Sequence, residues 1–247
     1  MNDVIDESQR GGISGTGGLS RKPGLRGGLG LDRGQDPDAR GQRAQDSATR
    51  SQSLALLRTR LMREMRERGW NRLAVVPVTP GAGGTTVAVD LAQVIRRHSG
   101  TRVMLVDLDL ADPAVASRLG LPGCAGYAQT TRAGGDLAAL LHVQPDHPNF
   151  AVLAPAAPED EAAEFVQGQR MANALQQLVK SDPAHVVLMD CAPLLGGDVG
   201  LAALPLADAI LLVADGRRTT AAQMKECERL LADMPPLMGV VLNKAGQ

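Results

Sequence analysis

The sequence predicts an α/β fold: a doubly wound, mostly parallel sheet flanked by helices. Three observations carry it. Apolar, β-branched runs of strand length recur from Leu73 (LAVVPV) and at Val103–Val106, Phe150–Ala154, His185–Met189, Ile210–Val213 and Met238–Leu242, with helical stretches between them. That alternation calls for right-handed crossovers that place helices on both faces of a parallel sheet. A Gly/Pro loop follows the first run and opens into a helix, and acids close the runs that end at Val106 and Met189. In open parallel sheets ligands sit beyond the carboxyl ends of the strands, where these loop and acid features fall.

Residues 1–50 are rich in Gly, Arg, Asp, Gln and Ser, with few large apolar residues. Such a segment cannot offset its ordering entropy, so a disordered Gly/Arg-rich tail is expected over 1–50, ahead of a domain over 51–247. From Ser51, Leu54, Leu57, Leu61 and Met65 recur at helical spacing, with Arg58, Arg60, Arg63, Arg66 and Arg68 on the other faces and Gly69 as the stop. This amphipathic basic helix fits packing on the domain edge, an oligomer contact or an anionic-surface contact.

The stretch LAVVPVTPGAGGTTVAVDL, Leu73 to Leu91, is a strand, a glycine loop and a helix opened by paired threonines. It reads as a phosphate-binding P-loop: glycines let the backbone approach an anion, and the helix start offers free N–H groups and its positive dipole end. One residue departs from that pattern. The motif ends Gly-Lys-Ser/Thr, and here Gly83 is followed by Gly84, so the lysine that reaches the β- and γ-phosphates is absent.

After the second run comes DLDLADP, with Asp107, Asp109 and Asp112. Turn chemistry before Pro113 accounts for Asp112 but poorly for Asp107 and Asp109. Asp190 closes the next buried acid-bearing run, the position that serves the magnesium shell or its water in phosphate-loop proteins. Between them, PAVASRLGL and GGDLAALLHV read as short helices, and Glu164 through Leu178 as one helix with Phe165, Met171, Leu175 and Leu178 on one side. His142 and His147 lack companions at ligand spacing and read as surface residues, not a metal site. Cys191 reads as a small buried side chain, because acidic and apolar neighbours raise a thiol pKa. An amphipathic helix from about Thr219 to Met234 would be capped by Thr219 or Thr220.

The chain has 247 residues and a net charge of −1, which gives no electrostatic case for nucleic acid. It is 44% hydrophobic but only 2% aromatic, so the core must be built from Leu, Val, Ala and Ile. Three cysteines are too few for a disulfide framework, and no signal peptide is evident. The longest apolar runs are strand-sized, far below the ~20 residues of a membrane span. A cytoplasmic protein is expected, with membrane association only through a partner.

From Ser51 to Lys244 the order TPGAGGTT, VMLVDLDLADP, VVLMDCAPLLGGD, AILLVAD and GVVLN resembles the cytoplasmic catalytic domain of bacterial tyrosine kinases of capsule and exopolysaccharide synthesis. These belong to the deviant P-loop ATPases, with the chromosome-partitioning and division-site ATPases. The resemblance implies a P-loop NTPase fold, ATP or ADP with Mg2+ as cofactors, a homo-oligomer, and a membrane-embedded polysaccharide co-polymerase or export protein as partner. It implies that Pro80, Gly81, Ala82, Gly83, Gly84, Thr85 and Thr86 hold phosphates and that Asn243 contacts adenine. Thr85, Asp109 and Asp190 would serve the metal, and Asp107 would accept the proton of an incoming tyrosine hydroxyl, with Asp109 and Asp190 assisting.

The departures bear on chemistry. Besides Gly84, Ala111 and Asp112 stand where the kinases carry arginines, the oligomer motif of the first helix is reduced to Gln52, Ala55 and Arg58, and Tyr127 is the only tyrosine. Phosphoryl transfer mainly asks for positioning and positive charge. A unit charge pair at ~4 Å is worth about 4 kcal/mol at an effective dielectric near 20, or roughly a thousandfold in binding or rate. The sequence offers no local cation among the acids; Arg217, Arg218 or a neighbouring protomer would have to supply one, and Gly84→Lys is expected to restore the charge without rebuilding the loop. Three readings follow: a kinase-like protein with weak or lost activity, an active kinase with a substituted cation, and a partitioning-type ATPase. The last lacks the early loop lysine of that group. Limited proteolysis is expected to trim residues before about Ser51 and leave a stable core; resistance throughout that segment would contradict a disordered tail.

Overall fold

The computed structural model describes residues 37–98, 100–181 and 183–245, with side chains from residue 49 on. Its elements are α1 (Pro37–Arg68), β1 (Arg72–Pro77), α2 (Gly84–Arg96), β2 (Val103–Asp107), α3 (Val115–Leu119), α4 (Tyr127–Arg132), β3 (His142–Gln144), β4 (His147–Leu153), α5 (Ala162–Gln167), α6 (Gln169–Ser181), β5 (Val186–Asp190), α7 (Val199–Ala203), β6 (Ala209–Asp215), α8 (Ala221–Leu230) and β7 (Leu237–Asn243). The expected tail up to residue 36 lies outside the described residues. Residues 37–50, read from composition as tail, are helical. Pro37 suits the first helical position, where its missing N–H costs nothing, and Ala, Arg and Gln favour helix without an apolar stripe.

Among the described residues the sheet has seven strands in the order β3-β4-β2-β5-β1-β6-β7. All neighbours are parallel except β3, which pairs antiparallel with β4. This is the doubly wound architecture the strand-helix alternation predicts. The structure departs from the sequence expectation at β3, where GGDLAALLHV predicts a short helix. Only Leu137–Leu140 is helical, as one 3₁₀ turn capped by Asp136, and His142–Gln144 then folds back on β4 as an edge strand. The helix expected over Glu164–Leu178 is also broken: α5 ends at Gly168, whose extended backbone separates it from α6.

Alternating side chains of the central strands feed two cores. Leu73 and Val75 of β1 pack with Leu61 and Met65 of α1 and with Val87, Leu91 and Ile95 of α2. Ala74 and Val76 point to the other face, toward Met171, Leu175 and Leu178 of α6 and toward Cys227 of α8. The strands read as continuous apolar runs because both faces are covered. Thr220 caps α8 with a reciprocal bond to Gln223, which makes the two-way threonine alternative definite. Among the described residues no helix is long and apolar enough to cross a membrane.

The start of β1 is tied to β6 by Asp208. Its carboxylate accepts the Asn71 and Arg72 amides at 3.0 and 2.9 Å and the Arg72 guanidinium at 2.7 Å. Burial alone would raise its pKa, but the Arg72 guanidinium and the two amides outweigh that and hold it below the usual carboxylate range. A depressed carboxyl stabilises the fold above its unfolded pKa of about 3.9, and the contribution disappears as pH falls through the lower folded value. Asp208→Asn is therefore expected to cost about 1 kcal/mol at neutral pH, discounted for screening of the part-exposed Arg72, and little at strongly acid pH. Urea unfolding at both pH values checks it; an equal cost at both would remove the ionic contribution.

Candidate functional site

Strand β1 is an internal strand of the sheet, between β5 and β6, so the loop that leaves it is anchored on both sides. The Val78 amide donates to Val213 at 2.8 Å, and the Pro77 and Val78 carbonyls accept the amides of Leu194 and Leu195 at 2.8 and 3.0 Å. Gly81 (φ 77°) and Gly83 (φ 94°) take left-handed conformations that side chains resist. At Gly83 there is also no room, because a Cβ would lie 2.2 Å from Asn243 Nδ2. The loop then enters α2, whose first turn leaves the amides of Gly84, Thr85 and Thr86 without intrahelical acceptors. With the dipole end of a thirteen-residue helix behind them, these amides have the geometry that favours an anion.

Above the loop lies a cleft of about 520 Å³. Pro80, Gly81, Gly83, Gly84, Thr85 and Thr86 form its floor, Asp109, Asp112 and Arg118 one wall, and Pro77, the Cys191–Pro193 segment and Lys244 are among the other lining residues. Most residues assigned from sequence thus meet in one place, while Ala82, Asp107, Asp190 and Asn243 do not line the cleft. Ala82 is a buried residue of the loop itself. Asn243 braces the loop instead, its Nδ2 donating to the Ala82 carbonyl at 2.9 Å.

Asp107 and Asp190 are in register on adjacent β2 and β5, and both are fully buried. Asp107 accepts the amides of Asp109 (3.1 Å), Ala114 (3.1 Å) and Val115 (3.0 Å), so its two oxygens hold the acidic turn and start α3. Burial pushes its pKa up to about 7; the Val115 amide opposes this and the Asp109 charge adds to it. Both Asp190 oxygens are buried without a hydrogen-bond partner among the described residues. Burial, with the Asp107 charge behind it, lifts the Asp190 carboxyl well above the ordinary range. The Thr85 hydroxyl is near enough to favour the charged form without completing a hydrogen bond.

A buried carboxyl with two orphaned oxygens calls for a proton, a water or a cation. Among the described residues no three Asp, Glu, His or Cys side chains converge as a metal cage. Magnesium does not ask for one: it takes one or two carboxylates, with waters and ligand phosphates completing its shell. Thr85, Asp109 and Asp190 supply hard oxygen donors of that kind, so the residues fit the ion.

Sequence reasoning missed three residues. Lys244 and Arg118 line the cleft, whereas Arg217 and Arg218, the cations suggested from sequence, do not. Lys244 directly follows Asn243, which was already placed near the site, and that adjacency was the available signal. The third is Pro77. A Cβ on Gly84 would lie 2.7 and 2.8 Å from the Cδ and Cγ of the Pro77 ring, which is fixed to the backbone of β1 and cannot turn aside. The expectation that Gly84→Lys restores a cation without rebuilding the loop is therefore corrected: the space at position 84 is filled. Cys191 is buried as expected, and burial with the neighbouring acids raises its thiol well above its usual value.

Neither a family model nor a curated protein sequence matches the chain. Solved structures do. The kinase domain of the Escherichia coli tyrosine kinase ETK aligns with a TM-score of 0.69 at 23% identity, over 78% of this chain and 75% of that one. The fold is that of the P-loop ATPases. The VpsO kinase domain aligns at 0.68 and 19% identity, over 81% of this chain and 98% of that one. The cell division ATPase MinD of Pyrococcus furiosus aligns at 0.59 and 20% identity, over 71% and 73%. The kinase domains and MinD-type ATPases implied by the motif order are thus its structural neighbours, and at these identities the likeness establishes the fold.

The Pro77 contact is testable by a double-mutant cycle. Gly84→Lys alone is expected to cost about 1–3 kcal/mol by overpacking, partly offset by the better helix propensity of lysine. Combined with Pro77→Ala, that cost should shrink by about 0.5–3 kcal/mol of coupling. Additive effects in urea unfolding would mean that the ring does not limit the site.

Proposed function

We propose that this chain is a nucleotide-binding, tyrosine-kinase-like P-loop protein of exopolysaccharide or capsule synthesis or export, with weak or lost kinase activity. It would bind ATP or ADP with Mg2+ and act through a membrane-embedded chain-length or export partner. The observation that carries the loss of activity is the closed lysine position, where Pro77 fills the space a side chain on Gly84 needs. The glycine loop, the cleft and the acidic wall support nucleotide binding. Phosphoryl transfer depends on positive charge held against the transferring group, so losing that lysine weakens transfer more than binding.

The acceptor side points the same way. Tyr127 is the only tyrosine of the chain, and it is buried with its hydroxyl against the Met171 sulfur. Burial raises its phenol above the ordinary range, so it presents neither an accessible nor an activated hydroxyl. A second reading, an active protein tyrosine kinase with a substituted cation, is favoured by Lys244 and Arg118 in the cleft. In that reading Asp109, which faces the cleft, is better placed than Asp107 to meet an incoming hydroxyl.

Incubation of the full chain with labelled ATP and Mg2+, alone and with a tyrosine-containing peptide polymer, separates the readings. Negligible label on both is expected. Transfer to the polymer that is lost on Asp109→Asn would establish the active kinase instead.

A further inference from the structure

The geometry points to Lys244 as the phosphate-contacting cation of the cleft, serving nucleoside di- and triphosphates in place of the lysine excluded at position 84. This rests on the nucleotide-binding reading of the cleft. Lys244 follows β7 immediately, at the far edge of the sheet in strand order, yet its ammonium meets the P-loop: Nζ donates to the Gly81 carbonyl and lies 3.3 Å from Asp215 Oδ2.

Several independent features converge on this side chain. Lys244 takes a left-handed backbone conformation (φ 55°), one of only two non-glycine residues to do so among those described, a cost that other contacts must offset. Those contacts are present. The Asn243 amide is fixed to the Ala82 carbonyl, and the Asn243 carbonyl accepts the Gly216 amide at 2.7 Å, so the end of β7 is laced to both the P-loop and the β6 turn. The ammonium therefore leaves a rigid base. Its side chain is 45% exposed and lines the cleft, while its partner Asp215 is buried.

An ammonium carries three donors on a flexible four-carbon stem, so two protein contacts leave one for a ligand. A loop carbonyl and a carboxylate hold the charge beside the helix start in a form that anionic phosphate oxygens can compete for. Asp215 is itself anchored by the Arg217 amide at 2.9 Å and so stays in place when the lysine moves. Position 84 has no room for a side chain, and Lys244 supplies the charge from the opposite end of the sequence.

The test uses the full chain, titrated calorimetrically with Mg-ATP, Mg-ADP and AMP as the unmodified protein and as Lys244→Met, Lys244→Arg and, on the outer face of α8, Lys225→Met. Lys244→Met should weaken ATP and ADP by about ten- to a hundredfold, below the full Coulomb value because ordering the side chain offsets part of it. AMP should change little, Lys244→Arg should keep most of the affinity, and Lys225→Met should behave as the unmodified chain. Tight Mg-ATP binding unaffected by Lys244→Met but lost on Arg118→Met would overturn the assignment while leaving the nucleotide site intact. An equal loss for AMP and ATP, with a lowered melting temperature, would make Lys244 a clamp of the loop and overturn it too. No binding of Mg-ATP by the unmodified chain would overturn both the assignment and the nucleotide reading beneath it.

Discussion

The placement of β1 between β5 and β6 is the constraint on which the site depends. Because β1 is internal to the sheet, its carboxyl end has a strand on each side, and the loop that leaves it is held by backbone bonds to Val213 on one flank and to Leu194 and Leu195 on the other. The loop can then give its own amides to an anion without losing its shape. The same placement brings Asp190 alongside Val75 of β1, and Asp107 alongside Asp190. Acids far apart in sequence are thus stacked behind the loop by register alone.

Burial divides the labour among those acids. Asp107 has three amide partners and shapes the turn; Asp190 has none among the described residues and is left needing a proton, a water or a cation; Asp109 reaches the cleft. Three aspartates that look equivalent in sequence therefore do different things. Positive charge reaches the cleft from α3 and from the end of β7, elements that a local reading of the P-loop does not include. The Pro77 ring and Gly84 form a matched pair: the ring requires a glycine, and the glycine leaves room for the ring.

Where sequence reading failed, local pattern had competed with tertiary context. Leu137–Leu141 has helical spacing, but it buries Leu137 with one 3₁₀ turn, and the chain then pairs with the exposed edge of β4. The break at Gly168 fell inside an otherwise good helical pattern, since a single glycine lowers helix stability by only about 1 kcal/mol and does not mark a stop by itself. The early start of α1 was hidden because composition without an apolar stripe does not separate a polar helix from a tail.

The sequence by itself determined the sheet class, the phosphate loop, the acids at strand ends and the missing lysine. Each is written in local terms: apolar runs of strand length, glycines next to a helix start, one residue absent from a contiguous motif. Only the tertiary structure decided what fills the place of that lysine and which charges face the cleft. Pro77 and Gly84 meet across the loop, and Lys244 reaches Gly81 from the last strand of the sheet. Such contacts depend on strand order and on the close approach of backbones, and neither has a period or a spacing along the chain from which it can be read.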